Sequence, residues 1–186
     1  RLYNPPAGTV RIDDTDLRDL HLDRWREFTT FVTQRPFLFS DSVADNILLG
    51  RDDAARLERG LELTALAPDI RALPEGVDTL VGESGVRLSG RQRQRVALAR
   101  GLVREHGLLL LDDVLSAVDH ATEAELIAAI RSTAGQRITK VIVAHRVSAL
   151  QHADLVLVLD KGAQSDLGTP DELLQRPGLY RDTWLQ

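Results

Sequence analysis

Apolar residues along the chain fall into two patterns. Leu108-Leu109-Leu110-Leu111 and Val141-Ile142-Val143-Ala144 are unbroken runs, and the lack of period-2 alternation predicts parallel strands covered on both faces. Phe28 to Thr33 is rich in β-branched and aromatic residues and reads as a further strand, as does Asp154 to Asp160. Thr9 to Ile12 alternates as a short strand that Asp13-Asp14 turns, and Asp16 to Trp25 reads as a link between strands. Residues 41–105 are mostly helical in pattern: Leu57, Leu61 and Leu66 recur at roughly helical spacing, with Pro68 closing that segment, and an arginine-rich helix follows Gly90. Ala121 to Ser132 is a helix with Ala124, Ile127 and Ile130 on one side. Near the end, Lys161-Gly162 makes a turn. Thr169 is an N-cap, Pro170 the first helical residue and Glu172 the third member of a capping box.

The 186 residues suffice for one domain with a core, or one domain with a small subdomain. A hydrophobic share of 43% and a charged share of 27% are those of a globular protein rather than a disordered one. No run of about 18 apolar residues occurs, and the first residues lack the order of a signal peptide. The absence of cysteine excludes disulfides and thiolate metal sites. A formal charge of -5 argues against nucleic acid as a partner, so Arg93, Arg100 and Arg104, on one helical stripe, are expected to form a solvated face.

Two stretches carry candidate chemistry. Leu88-Ser89-Gly90 opens a helix, where unpaired N–H groups and the positive end of the helix dipole favour an anion. The leucine strand ends in Asp112 and Asp113, and open α/β sheets bind ligands at that edge. Ser89 is a candidate donor to phosphate, and Gly90 allows close backbone approach. A lone Gln34 after a strand, or a lone His145 after another, carries little weight by itself. His21, His106, His120 and His152 have no metal-ligand spacing. Only Lys140 and Lys161 are lysines, and neither follows a glycine, so the loop G-x-x-x-x-G-K-[ST] does not occur.

Leu88 to Gln92, continued by Arg93 to Arg100, resembles the LSGGQ signature of ATP-binding cassette (ABC) transporters. Leu108 to Asp113 is similar to their Walker B strand, Ser116 to Asp119 to the D-loop, Phe31 to Ser40 to the exporter Q-loop and the residues after it, and Val143 to Ser148 to the H-loop. Asp16 to Arg26, Gly82 to Gly85, Gly162 with Gly168, and Thr169 to Glu172 extend the resemblance over nearly the whole chain. Arg1 to Pro6 resembles the end of the helix after Walker A, which would make the sequence start late.

The resemblance implies an α/β fold: a P-loop NTPase (RecA-like) ABC ATPase core, incomplete at its N-terminus, with an inserted α-helical subdomain. Residues 1–40 would be the partial core up to the Q-loop, 41–105 the helical subdomain with the signature, and 106–186 the C-terminal half of the core. It implies ATP and Mg²⁺ as ligands. Ser89, Gly90, Arg91, Gln92 and Asp119 would contact nucleotide, Asp112 and Gln34 the metal, and Asp113, His145 and Gln34 would act in hydrolysis. Phe37, Leu38 and Phe39 would face a transmembrane partner or fill core, and Gly82 to Gly85 would touch the same partner, with Ser84 where arginine is common.

Two positions depart from the family pattern. Arg91 replaces the second signature glycine, an expected strain of roughly 1 kcal/mol if φ must be positive, and impairment is expected over a gain of charge for phosphate. Asp113 replaces the catalytic glutamate. The expected function is therefore an ATP-binding and weakly hydrolysing part of an exporter. It would pair with a second cassette, as in heterodimeric exporters, and join a fused transmembrane domain at the cytoplasmic face of the cell membrane. The alternatives are a nucleotide-binding regulatory half without turnover and a non-functional remnant.

Overall fold

The computed structural model describes residues 1–83, 85–115, 120–132 and 138–185. Three parallel strands, β3 (Thr29–Val32), β4 (Leu108–Asp112) and β5 (Thr139–Val143), form a sheet in the order β3-β4-β5. Their register aligns Thr29 with Leu108 and Thr139, and Val32 with Leu111 and Ile142. Parallel neighbours need long crossovers. The helices α2 (Val43–Leu48), α3 (Ala54–Leu63), α4 (Ala67–Arg71) and α5 (Gly90–Leu102) lie between β3 and β4, and α6 (His120–Ser132) lies between β4 and β5.

Helix α5 is the wall between two cores. Val96-Ala97-Leu98-Ala99 puts four apolar residues in succession, which at 3.6 residues per turn surrounds the axis and demands burial on all sides. Ala97, Leu98 and Leu102 pack with Val32, Leu109, Leu111, Leu126 and Ile130 under the sheet. Val96 and Ala99 join Val43, Ile47, Leu66 and Ile70 in the helical layer. Leu57 and Leu61 lie on α3 as expected, but Leu66 begins the next helix, and Pro68 sits in its first turn, where its missing N–H is not needed. On α6 the buried face is Leu126, Ala129 and Ile130, whereas Ala124 is exposed.

The strands are not covered on both faces. Phe31, Leu110 and Val141 are register partners on one face, yet Phe31 is 58% and Val141 47% exposed. The described residues supply apolar cover, from α5 and α6, to the opposite face alone. The strand expected at 154–160, β6 (Val156–Asp160), forms a hairpin with β7 (Ala163–Gly168) apart from the three-stranded sheet. Its turn has positive φ at Lys161 and Gly162, the twist that two-residue hairpins favour. Val156 and Val158 pack on Leu173 and Tyr180 of α7 (Pro170–Gln175) and α8 (Leu179–Trp184), while Leu157 and Leu159 are exposed. The expected capping box opens α7: Thr169 Oγ1 accepts from Glu172 N and Glu172 Oε2 from Thr169 N.

At the N-terminus, residues 1–10 contain no helix. Asp16 to Trp25 is more than a link: Thr15–Asp16 (β2) pairs with Arg11–Ile12 (β1), and α1 (Leu22–Phe28) runs directly into β3, taking Phe28 from the expected strand.

His106, between α5 and β4, is buried with neither ring nitrogen hydrogen-bonded. Burial holds its pKa below the ordinary value, and the charges of Arg104 and Lys140 act the same way. Below about pH 6.5 the unfolded chain binds a proton that the folded state resists. Stability is therefore expected to be full above that pH and to decline as pH falls through the lowered folded value. Urea midpoints at pH 7.5 and 5.5 measure this, and His106→Leu should narrow the difference. An unaltered difference would assign it to other groups.

Candidate functional site

The carboxyl edge of the sheet gathers the residues the sequence singled out there. Asp112 ends β4 opposite Val143, the last residue of β5, and Val32 ends β3 opposite Leu111. Gln34 and His145, each two residues beyond a strand end, therefore emerge beside Asp112 and Asp113. Gln34 and Asp113 are in contact: Gln34 Nε2 donates to Asp113 Oδ2 at 2.9 Å, across 79 residues of sequence. Asp113 N donates to Val143 O at 2.9 Å, prolonging the β4–β5 ladder by one step. Its φ of 48° then turns the chain sharply, and aspartate tolerates the left-handed region better than most residues. The Asp113 side chain is buried, that of Asp112 is half-buried, and Gln34 and His145 are exposed. Asp119, with the rest of 116–119, lies outside the described residues.

The signature residues belong to the helical layer. Ser89 is the N-cap of α5; its Oγ accepts from Gln92 N at 3.2 Å, and Gln92 Oε1 accepts from Ser89 N at 2.9 Å. The Ser89 hydroxyl keeps its proton for another acceptor. Gln92 Nε2 donates to Asp69 Oδ1 at 2.8 Å, so its amide ties the helix start to α4. A Cβ built on Gly90 would meet nothing closer than Arg93 Nη2 at 3.9 Å, which leaves that side open. Arg91 is exposed, and its φ is not positive. The strain expected there is absent, because capping by Ser89 already makes residues 90 and 91 helical.

Arg93, Arg95 and Arg100 of α5, with Arg104 just after it, are fasteners rather than a solvated face. Arg93 Nη1 donates to Leu88 O at 2.6 Å, and Arg95 holds Ala65 O and Asp69, both at 2.7 Å. Arg104 Nη2 reaches Arg26 O at 3.2 Å. Arg100 donates Nε to Asn46 O at 2.6 Å, Nη2 to Asn46 Oδ1 at 2.9 Å and Nη1 to Phe37 O at 3.0 Å, and lies 5.4 Å from the Phe39 ring centroid. Burial holds its pKa below the ordinary value.

The segment after Gln34 is thereby fixed at both ends. Leu38 is buried, while Phe37 and Phe39 are 67% and 48% exposed, with rings edge to face at 5.1 Å. Gly82 backs onto this pair: a Cβ there would lie 2.9 Å from Phe39 O, and its φ is 97°. The two stretches expected to meet a membrane partner are thus neighbours, although Ser84 lies outside the described residues. Sequence reasoning missed three residues. Asn46 bonds both Phe39 and Arg100, Gln94 on α5 reaches Thr33 O at 3.4 Å, and Glu123 accepts from Arg146 and Ser148. Each has polar neighbours in sequence, Asp45 before Asn46, arginines on both sides of Gln94 and Thr122 before Glu123, so no local pattern set it apart.

A family model described as ABC transporter matches residues 1–116. The multidrug resistance-like ATP-binding protein MdlA of Escherichia coli (strain K12) is 44% identical over 186 residues, covering 99% of this chain and 31% of that protein. The probable multidrug resistance ABC transporter ATP-binding/permease protein YheI of Bacillus subtilis (strain 168) is 41% identical over 186 residues, covering 99% and 32%. Among solved structures, that of a bacterial Atm1-family ABC exporter with ATP bound superposes with a TM-score of 0.88 at 38% identity, over 100% of this chain and 33% of that one. The chain spans about a third of the length of these relatives. It belongs to the ABC transporter family, and the part of those proteins to which it corresponds is the ATP-binding portion of exporters.

Proposed function

We propose that this chain is part of the nucleotide cassette of an ATP-driven exporter, and that its hydrolysis is slow. The observation that carries this is the contact of Gln34 with Asp113 at the strand edge, beside Asp112. Carboxylates at such an edge are the oxygen donors magnesium takes, and a glutamine beside them suits a metal-bound phosphate and a water. These residues fit the γ-phosphate end of a magnesium-bound triphosphate. The other end finds no holder among the described residues: Lys140 Nζ is bound to the carbonyls of Ile130 and Arg131, and Lys161 lies in the hairpin turn. When bound, the nucleotide supplies the anhydride bond and the metal neutralises its charge. Gln34 then holds Asp113 in place, and Asp113 orients a water and accepts its proton.

The holder of that other end is assigned to the remainder of the full-length exporter, of which the relatives' length makes this chain about a third. Two bare apolar faces support that assignment, Phe31 with Val141 on the sheet and Leu157 with Leu159 on the hairpin. Ser89 and the open side of Gly90 serve a nucleotide held by a second cassette. Asp113 weakens one composite site, and Arg91, unstrained but placing a long side chain where the family has glycine, alters the other; the partner that compensates both carries intact motifs, as in a heterodimer. Phe37, Phe39 and Gly82 face a transmembrane domain at the cytoplasmic side of the cell membrane; among the described residues, no helix is long and apolar enough to cross one. A regulatory half that binds nucleotide without turnover is the second reading, favoured by Asp113 being occupied by Gln34. Calorimetric titration of the whole protein with Mg-ATP tests both. Binding is expected, and Asp112→Asn should weaken it at least about tenfold. Failure of the whole protein to bind would reject both.

A further inference from the structure

Among the described residues, one buried carboxylate lies outside the strand-edge site. Glu123, in the first turn of α6, is 3% exposed. Arg146 Nη1 donates to its Oε2 at 2.6 Å, and Ser148 Oγ donates to its Oε1 at 2.7 Å. Burying a carboxylate is costly unless its oxygens are partnered, and here both oxygens are engaged. What they engage is the chain on the far side of His145.

His145 stands in a short link between Val143, the last residue of β5, and the 3-10 turn Val147–Leu150. On one side the link is anchored by the sheet, through Asp113 N to Val143 O. On the other, Arg146 and Ser148 are the polar anchors, and Glu123 takes both. Glu123 is itself immobilised, because Leu126, Ala129 and Ile130 of α6 share the main core with Ala149 of the 3-10 turn. Helix α6 also begins at His120, directly after residues 116–119, the D-loop-like stretch.

We propose that Glu123 is the positioning residue for His145, holding the H-loop-like segment to the helix that follows the D-loop-like one. The proposal rests on the nucleotide-site reading only for what His145 does, not for how it is held. In the 186-residue chain, the ¹H–¹³C ring signals of His145 are expected to lie apart from those of the exposed His152. Glu123→Gln should move them toward the His152 positions and broaden them, while His106 and Tyr180 signals stay in place. Ser148→Ala should give a smaller displacement in the same direction, and it decides the matter if Glu123→Gln does not fold.

In the whole protein, Glu123→Gln should lower kcat for ATP about tenfold with KM unchanged. Unmoved His145 signals in every variant that folds would overturn the proposal. So would a lowered melting temperature with shifts confined to Leu126 and Ala149, since a purely structural ion pair would do that. Displaced His145 signals with undiminished turnover would uphold the positioning and reject the catalytic reading of His145.

Discussion

Asp113→Glu is expected to raise ATP turnover by the whole protein on the order of 10²-fold. Aspartate is one methylene short of the family's glutamate, which sets its carboxylate back by about 1.5 Å, and about 1 Å of misplacement at a reacting centre costs that much. The structure adds two conditions. Asp113 Oδ2 already accepts from Gln34 Nε2 at 2.9 Å, so the carboxylate is held toward the Q-loop-like segment. The residue also sits at φ 48°, where aspartate gains from local hydrogen bonding and glutamate does not, a loss of about 1 kcal/mol. One substitution should thus raise kcat and lower the urea midpoint. KM for ATP should be nearly unchanged, because the affected interaction is made in the transition state. Asp113→Asn serves as the control and should abolish turnover. If Asp113→Glu leaves kcat where it was while Mg-ATP still binds, the short carboxylate is not what limits the reaction.

Residues at the ends of runs were legible in the sequence. Asp112 and Asp113 close four leucines, and Thr169 opens a capping box with Glu172; in both cases the local pattern fixes the backbone that presents them. Pairings over long separations were not. Gln34 meets Asp113 79 residues away, and Arg100 meets Phe37 63 residues away, and no window of sequence contains both partners. Helix α1 escaped for another reason: its N-cap is His21, without a capping bond, and it ends where β3 begins. The unbroken runs predicted two covered faces, yet Phe31 and Val141 are exposed. A run of apolar residues records burial in the protein that the sequence serves, and the described residues supply cover for one side of it.

Asn46 carries the second large expectation, a loss of about 3–5 kcal/mol in Asn46→Leu. The side chain is fully buried on α2. Its Oδ1 accepts from Phe39 N at 2.8 Å and Arg100 Nη2 at 2.9 Å, and its Nδ2 donates to Ser42 O at 2.9 Å and Phe39 O at 3.0 Å. Leucine is close in volume, so packing changes little. What changes is that the Phe39 amide and one guanidinium nitrogen lose a partner together, while the Phe39 carbonyl keeps the Asp41 amide. Each orphaned buried group costs about 1–3 kcal/mol, more where it is charged. Domains of this kind hold only about 5–15 kcal/mol in total. Asn46→Asp should cost less, since it keeps both acceptor contacts and pairs its charge with Arg100, but it surrenders the donor to two carbonyls. Arg100→Lys should fall between them, because an ammonium cannot span Asn46 O and Phe37 O in the planar fork that the guanidinium uses. Urea unfolding of the chain gives the order, and amide exchange at Phe39 locates the damage. A faster Phe39 amide in all three variants, with the midpoint lowest for Asn46→Leu, is the expected outcome. A midpoint unmoved by Asn46→Leu would show that Leu38 packing and the Arg100 bond to Phe37 O hold the strap from Gln34 to Phe39 without Asn46, and that the path from the strand-edge carboxylates to the exposed aromatic pair does not pass through Asn46.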